Sequence, residues 1–186
     1  MASDVSICNR ALALLGAKTI VSLSAEQTEA EVMNAIYHDA RDSILREARP
    51  ACATFRTTLA KMSEAPAFGY ANQFQLPTSP YCLSVLEINE DADYLVEDRR
   101  ILTDSSTCSI VYVGRITDAG VFDAATVFAI AARCAAEASY ALAQNGSLTD
   151  RMWALSEKAI MDAQNADAVE RGTDAIEVDQ FKYARQ

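Results

Sequence analysis

The residues able to do chemistry are few in this chain and stand far apart. There is one histidine, His38, followed by Asp39. A Ser-His-Asp or Cys-His site would have to be built on it. Its segment carries apolar residues at Val32, Ile36, Tyr37, Ala40 and Ile44, which puts His38 on the polar side of a helix. The five cysteines, Cys8, Cys52, Cys82, Cys108 and Cys134, are odd in number, widely spaced and without a CxxC pair. Zinc sites and disulfide frameworks have other spacings, so small buried thiols in a reducing compartment are expected. Asp91-Ala92-Asp93, after Asn89-Glu90, gathers oxygens that suit calcium. It lacks the glycine and the later glutamate of a calcium loop and reads as a solvated acidic turn. Arg99-Arg100 suits a phosphate, yet it lies in an acidic region and reads as a hairpin corner. No HExxH, phosphate-binding loop, GxGxxG or GxSxG motif occurs. No catalytic residue, metal ligand or cofactor is therefore assigned, and a role without catalysis is expected.

The elements that would position any site read as helices, then strands, then helices. Ser3 or Asp4 can cap a first helix bearing Val5, Ile7, Ala11, Leu12, Leu14 and Leu15, with Gly16 where a left-handed C-terminal residue belongs. Thr28 and Glu31 have capping-box spacing ahead of a second helix, which Pro50 ends. A short helical piece with Phe55, Leu59 and Met62 on one side is expected next. Residues 69 to about 120 change character: Leu83-Ser84-Val85-Leu86-Glu87-Ile88, Tyr94-Leu95-Val96, Ile101-Leu102 and Ser109-Ile110-Val111-Tyr112-Val113 are β-prone runs between turns. They predict a small antiparallel sheet of meander type. Phe122 to Gln144 is an alanine-rich helix. Asn145-Gly146-Ser147 punctuates it, and Ser147 or Thr149 is expected to cap a last helix bearing Met152, Leu155, Ala159, Ile160 and Ala163. The expected fold class is α+β. Residues 1–68 and 121–171 form a discontinuous helical bundle, 69–120 an inserted antiparallel β domain, and 172–186 an extended C-terminal tail.

Charge narrows the partners. The chain of 186 residues has a formal net charge of −10, the wrong sign for a protein that holds nucleic acid by neutralising phosphates. Residues 1–62 balance their charges, 63–122 carry a net −6 and 144–186 a net −3. A neutral helical scaffold with acidic protrusions is expected. No apolar run approaches the roughly 18 residues of a membrane span. Met1-Ala2-Ser3-Asp4 has no basic leader region, so a cytoplasmic site of synthesis is expected.

The order of elements resembles a known family. Ile7-Cys8-Asn9-Arg10-Ala11-Leu12-Ala13-Leu14-Leu15-Gly16, then Ile20 and Ser22-Leu23, is similar to the start of the tail tubular protein A family of short-tailed phages. The likeness continues through Tyr37-His38-Asp39-Ala40-Arg41-Asp42, Leu45-Arg46 and Arg49-Pro50. It then runs through Phe55-Arg56, Leu59-Ala60, Phe74-Gln75-Leu76-Pro77 and Cys82-Leu83-Ser84-Val85-Leu86 to Tyr112-Val113, Asp118 and Phe122-Asp123. Two places depart from the family pattern. Ala51 follows Pro50 where a tryptophan is usual, and Leu76-Pro77-Thr78-Ser79-Pro80-Tyr81-Cys82 is longer and lacks an aspartate.

The resemblance implies a structural virion protein at the head–tail junction. Such a protein is a head-to-tail adaptor whose copies form a ring, a dodecamer, between the portal and a tail nozzle or other tail protein. The ring would extend the channel for duplex DNA, which passes without specific binding. A neck adaptor of a long-tailed phage and a non-viral protein-interaction module are the alternatives. The tail's Ile176, Val178, Phe181 and Tyr183 are the expected partner-binding residues, ordering against a neighbour or the portal with Phe181 and Tyr183 as anchors.

Overall fold

A computed structural model describes residues 2–88 and 93–170. Four α-helices and six strands are present among them: α1 (Asp4–Leu15), α2 (Thr28–Ala48), β1 (Thr54–Thr58), β2 (Asn72–Gln75), β3 (Cys82–Ile88), β4 (Tyr94–Glu97), β5 (Arg100–Thr103), β6 (Ser109–Gly114), α3 (Ala124–Ala143) and α4 (Gly146–Glu170). The class is α+β. The expected tail, 172–186, and the acidic turn at 89–92 lie outside the described residues.

The helices close around α3, which packs against α1, α2 and α4. Alanine makes this possible. Ala129, Ala131, Ala132, Ala135, Ala136 and Ala138 are buried, and side chains this short let neighbouring helix axes approach. Larger residues from the other helices, among them Ile7, Leu12, Met33, Tyr37, Ile44 and Leu45, fill the space between. The ends are tied down locally. Ser3 and Ser6 form a reciprocal capping box on α1, and Gly16 closes that helix at φ 69°. Asp123 accepts hydrogen bonds from the amides of Ala125 and Thr126 at the start of α3. Two expected caps are corrected. Thr28 is the first helical residue of α2 rather than its cap, and Gln27 precedes it without a side-chain hydrogen bond. Asn145, not Ser147 or Thr149, caps α4, its Oδ1 accepting from the Leu148 amide at 3.2 Å.

The strand region differs more from expectation. Among the described residues there are two three-stranded antiparallel sheets rather than one meander, ordered β1-β6-β3 and β2-β5-β4. The expected helical piece after Pro50 is a 3-10 turn at Ala51–Ala53 followed by strand β1, which pairs with β6 from Thr54↔Val113 to Thr58↔Ser109. The sheets therefore begin at residue 54 rather than 69, with β1 drawn from the segment assigned to the bundle. Thr54, Thr57 and Thr58 are the physical reason. Their branched Cβ atoms favour extended backbone, and β6 supplies the hydrogen bonds that a lone strand lacks. Phe55, Leu59 and Met62 have helical spacing by coincidence.

A second, smaller core lies among Leu59, Phe74, Leu76, Ile101, Ile110 and Tyr112. Gly114, where β6 ends, is required by close packing. A Cβ there would stand 2.8 Å from the Phe55 ring and 2.9 Å from Pro80 Cβ.

Candidate interaction surfaces

Two sets of polar contacts stand out, one joining the helical unit to the strand unit and one within the helical unit. The first centres on Asp42 of α2. Its Oδ1 accepts from Arg41 Nε and Nη2 at 3.0 and 2.8 Å, and its Oδ2 accepts from Arg115 Nε at 2.6 Å. Arg41 is buried, so Asp42 neutralises a charge that has left water. Arg115 also lies over the Tyr81 ring, 4.5 Å from its centroid, and Arg99 lies over the same ring at 3.8 Å. The Arg99 guanidinium donates to the Pro77 and Cys82 carbonyls. A chain of contacts thus runs from α2 through Asp42, Arg115 and Tyr81 to the corner between β4 and β5. The expectation of a hairpin corner at Arg99-Arg100 holds: Asp98 and Arg99 are both left-handed, at φ 43° and 57°, as a two-residue type I′ turn requires.

The second set fastens the C-terminal turn of α2 to α3 and α4. Glu47 Oε2 accepts from Arg133 Nη2 at 2.8 Å, Gln164 Nε2 donates to the Glu47 carbonyl, and the Ala51 amide donates to Asp167. Earlier in the chain, Asn9 pairs both its amide groups with the backbone of Ile20, at 2.9 and 2.7 Å. That clamp folds the first loop back on α1 and buries Ile20.

The groups weighed for chemistry are dispersed. His38 is exposed, with its ring edge against Tyr37. No disulfide joins the cysteines. Burial pushes Cys8 up to about 12, with the Asp4 charge adding to the effect, and burial likewise raises Cys82 and Cys134. These three stay protonated at neutral pH. Tyr37 is raised by burial first and by its hydrogen bond to Asp4 second. No group of three or more His, Cys, Asp or Glu is placed to hold a metal among the described residues. Among them, too, no helix is long and apolar enough to cross a membrane.

Exposed large apolar side chains occur on both units: Val21, Val121, Tyr140, Trp153, Met161 and Val169 on or beside the helices, and a consecutive run in the strand unit. Tyr94, Leu95 and Val96 of β4 stand out, together with Phe68 at 87% exposure. β4 is the outer strand of its sheet. Tyr94 and Val96 line an open groove of about 430 Å³ with Arg46, Leu76, Leu83 and Arg99. Leu95 lines a second cavity of about 290 Å³ with Phe68, Tyr70 and Leu102. Around them the carboxylates of Glu64, Glu87, Asp93, Glu97, Asp98 and Asp104 are exposed. Three of the unit's four arginines are engaged internally, Arg99 on Tyr81, Arg100 beside Asp98 and Arg115 on Asp42, while Arg56 of β1 is exposed.

The expected partner-binding residues Ile176, Val178, Phe181 and Tyr183 lie outside the described residues. The β4 surface was not singled out from sequence. Tyr94-Leu95-Val96 reads as any short strand, and only the sheet order reveals that nothing covers it among the described residues. No protein-family profile and no curated protein sequence matches this chain.

Proposed function

We propose that this chain is a structural virion protein, a head-to-tail adaptor. Its copies form a ring between the portal and the next tail component and extend the channel for DNA ejection. The observation that carries the reading is the union of two unlike units in one subunit. A closed helical unit is stitched through Asp42 to a strand unit with an open edge and exposed apolar residues. A ring closed by rotation uses a heterologous interface, with a different face on each side of every subunit. The segments that resemble the adaptor family also hold two of the internal contacts, Asn9 with Ile20 and Arg41 with Asp42.

The charge supports the same reading. The exposed carboxylates of the strand unit would repel DNA phosphates wherever they face a channel, so a duplex could slide without sticking. Phe181 and Tyr183 would then anchor an assembled subunit on its neighbour or on the portal.

The test is to mix the purified protein with portal rings, image the product and weigh the free form. A subunit that builds a ring on the portal supports the reading. A chain that stays monomeric with the portal present overturns it. A ring whose lumen is lined mainly by Lys and Arg would overturn the electrostatic part alone.

A further inference from the structure

We propose that the outer edge of β4 is a docking site for an extended segment of another protein, one that alternates basic and apolar side chains and adds to the β2-β5-β4 sheet as a further strand. Such docking requires neither ring nor portal.

The edge is defined by the hairpin. A two-residue type I′ turn at Asp98-Arg99 makes Glu97 and Arg100 a hydrogen-bonded pair. Alternation then makes Leu95 a hydrogen-bonded partner of Leu102, while Tyr94 and Val96 turn their N–H and C=O groups away from β5. Among the described residues no strand pairs with those groups. No proline or lysine blunts this edge, and its side chains are apolar over three consecutive residues. The side chains alternate between two openings: Tyr94 and Val96 toward the groove that Arg46 borders, Leu95 toward the cavity beside Phe68. A free edge with a pocket on each face is the arrangement by which sheets accept an added strand. The backbone supplies affinity and the pockets take alternate side chains.

Charge identifies the occupant. From Glu90 to Asp98 the sequence holds five carboxylates and no basic residue, and Asp93, Glu97 and Asp98 are exposed beside the apolar run. A basic segment is attracted to this edge and an acidic one repelled. The two openings then set the order of its residues. Leu95 shares its cavity with Glu97, Asp98, Phe68 and Tyr70, and the Arg100 found there already lies 3.5 Å from Asp98. A Lys or Arg side chain entering that cavity meets carboxylates and aromatic rings. Tyr94 and Val96 share their groove with Leu76, Leu83 and Val85, and Arg46 and Arg99 line it too. Apolar side chains fit there and cationic ones are repelled. Successive residues of a strand point to opposite faces, so one segment suits both openings by alternating basic with apolar residues. The same charges disfavour a second copy. Antiparallel pairing of two β4 strands that sets Tyr94 opposite Val96 also sets Asp93 opposite Glu97, a like-charge pair at each end.

The probe is the peptide acetyl-KVKIKVK-amide, titrated into the full chain and followed at individual backbone amides by NMR. The Tyr94 and Val96 amides are expected to shift saturably and to exchange at least about tenfold more slowly in the complex. A peptide with glutamate at each lysine position, and one with the same residues in the blocked order KKKKVIV, should each bind at least about tenfold more weakly. Asp93→Lys/Glu97→Lys in the full chain should weaken binding of the first peptide by a similar factor, while amides of the helical core, such as Ile44, report the same fold. Comparable binding of the acidic peptide, or unchanged affinity of the double variant, would overturn the proposal because charge does not select the occupant. Comparable binding of the blocked peptide would overturn it because no strand is added. Tyr94 and Val96 amides already protected without peptide would overturn it as well. At a monomer's mass they would assign the edge to the chain itself, and with protection that grows with concentration to a second copy.

Discussion

The helical unit and the strand unit of this protein spend their apolar residues differently. In the helices, alanines of α3 and larger residues of α1 and α2 are buried together, and the ends are capped by Ser3, Asp123 and Asn145. In the sheets, a small core around Phe74 and Ile101 coexists with a strand, β4, whose four residues are all exposed. A helix satisfies its backbone groups internally except at its ends, so the helical unit offers a partner side chains such as Tyr140, Trp153 and Met161 rather than a backbone edge. A three-stranded sheet always keeps two edges, and each edge is either blunted or used. The larger core therefore sits in the helical unit and the free backbone edges in the strand unit, with Asp42 between them.

Breaking the link should have the largest effect. Asp42→Ala removes the carboxylate that neutralises the buried Arg41 and accepts from Arg115. A charge stranded in a low-dielectric site costs about 3–5 kcal/mol. Chemical denaturation should show that loss, and the two units should separate into distinct transitions if Asp42 couples them. A change below about 1 kcal/mol would mean that the units are held by apolar packing alone.

Gly114→Ala probes the strand unit without touching the helices. The new methyl would meet Phe55 and Pro80 at under 3 Å. Pro80 Cβ is fixed by its ring, so β6 or the neighbouring loop must shift, at a cost of about 1–3 kcal/mol. If helical content melts unchanged while near-ultraviolet signals of Phe55 and Tyr112 are lost early, the units are energetically distinct. A single common loss would erase the distinction.

How much of this was legible depends on whether the signal was local. Gly16 as a left-handed terminator, Ser3 as a cap and the alanine stripe of α3 were readable because each depends on residues within a turn or two. Strand β1 was misread because Phe55, Leu59 and Met62 mimic a helical period, while the pairing that decides the matter comes from β6, more than fifty residues away. The division into two sheets was hidden for the same reason: only β4 and β5 pair as neighbours in sequence. The candidate surface is a property of sheet order, so Tyr94-Leu95-Val96 carried no mark of it. Asp42 reads in sequence as one more acidic residue of a helix, because its role requires Arg115 to arrive from across the fold.

Leu95→Thr sharpens the contrast from the other side. The residue is exposed at 43% and threonine keeps the β preference, so stability should stay within about 0.5 kcal/mol. Capture of the subunit by portal rings should fall all the same, if β4 is the contacting edge once assembled. A melting temperature unchanged with capture also unchanged would remove β4 from the interface and leave the helical face as the candidate.

The smallest effect belongs to the helical unit and tests how closed it is. Glu137 of α3 has its carboxyl raised above the ordinary 4.5, chiefly by burial, with Arg133 pulling it down and Asp39 and Glu47 pushing it up. A raised carboxyl means that the folded state holds its proton more tightly than the unfolded chain does. The resulting stability is fully present below pH 4.5 and is lost as pH rises through the folded value, so at neutral pH the charged Glu137 opposes folding. Glu137→Gln should therefore stabilise slightly at pH 7, by up to about 0.5 kcal/mol. That gain should vanish below pH 4.5, where Glu137 is already neutral in both states. Thermal melts of the two proteins at about pH 7 and about pH 4 decide it. If the variant is the less stable one at neutral pH, attraction to Arg133 outweighs burial, and this face of the bundle is more open to water than the closed core beneath it.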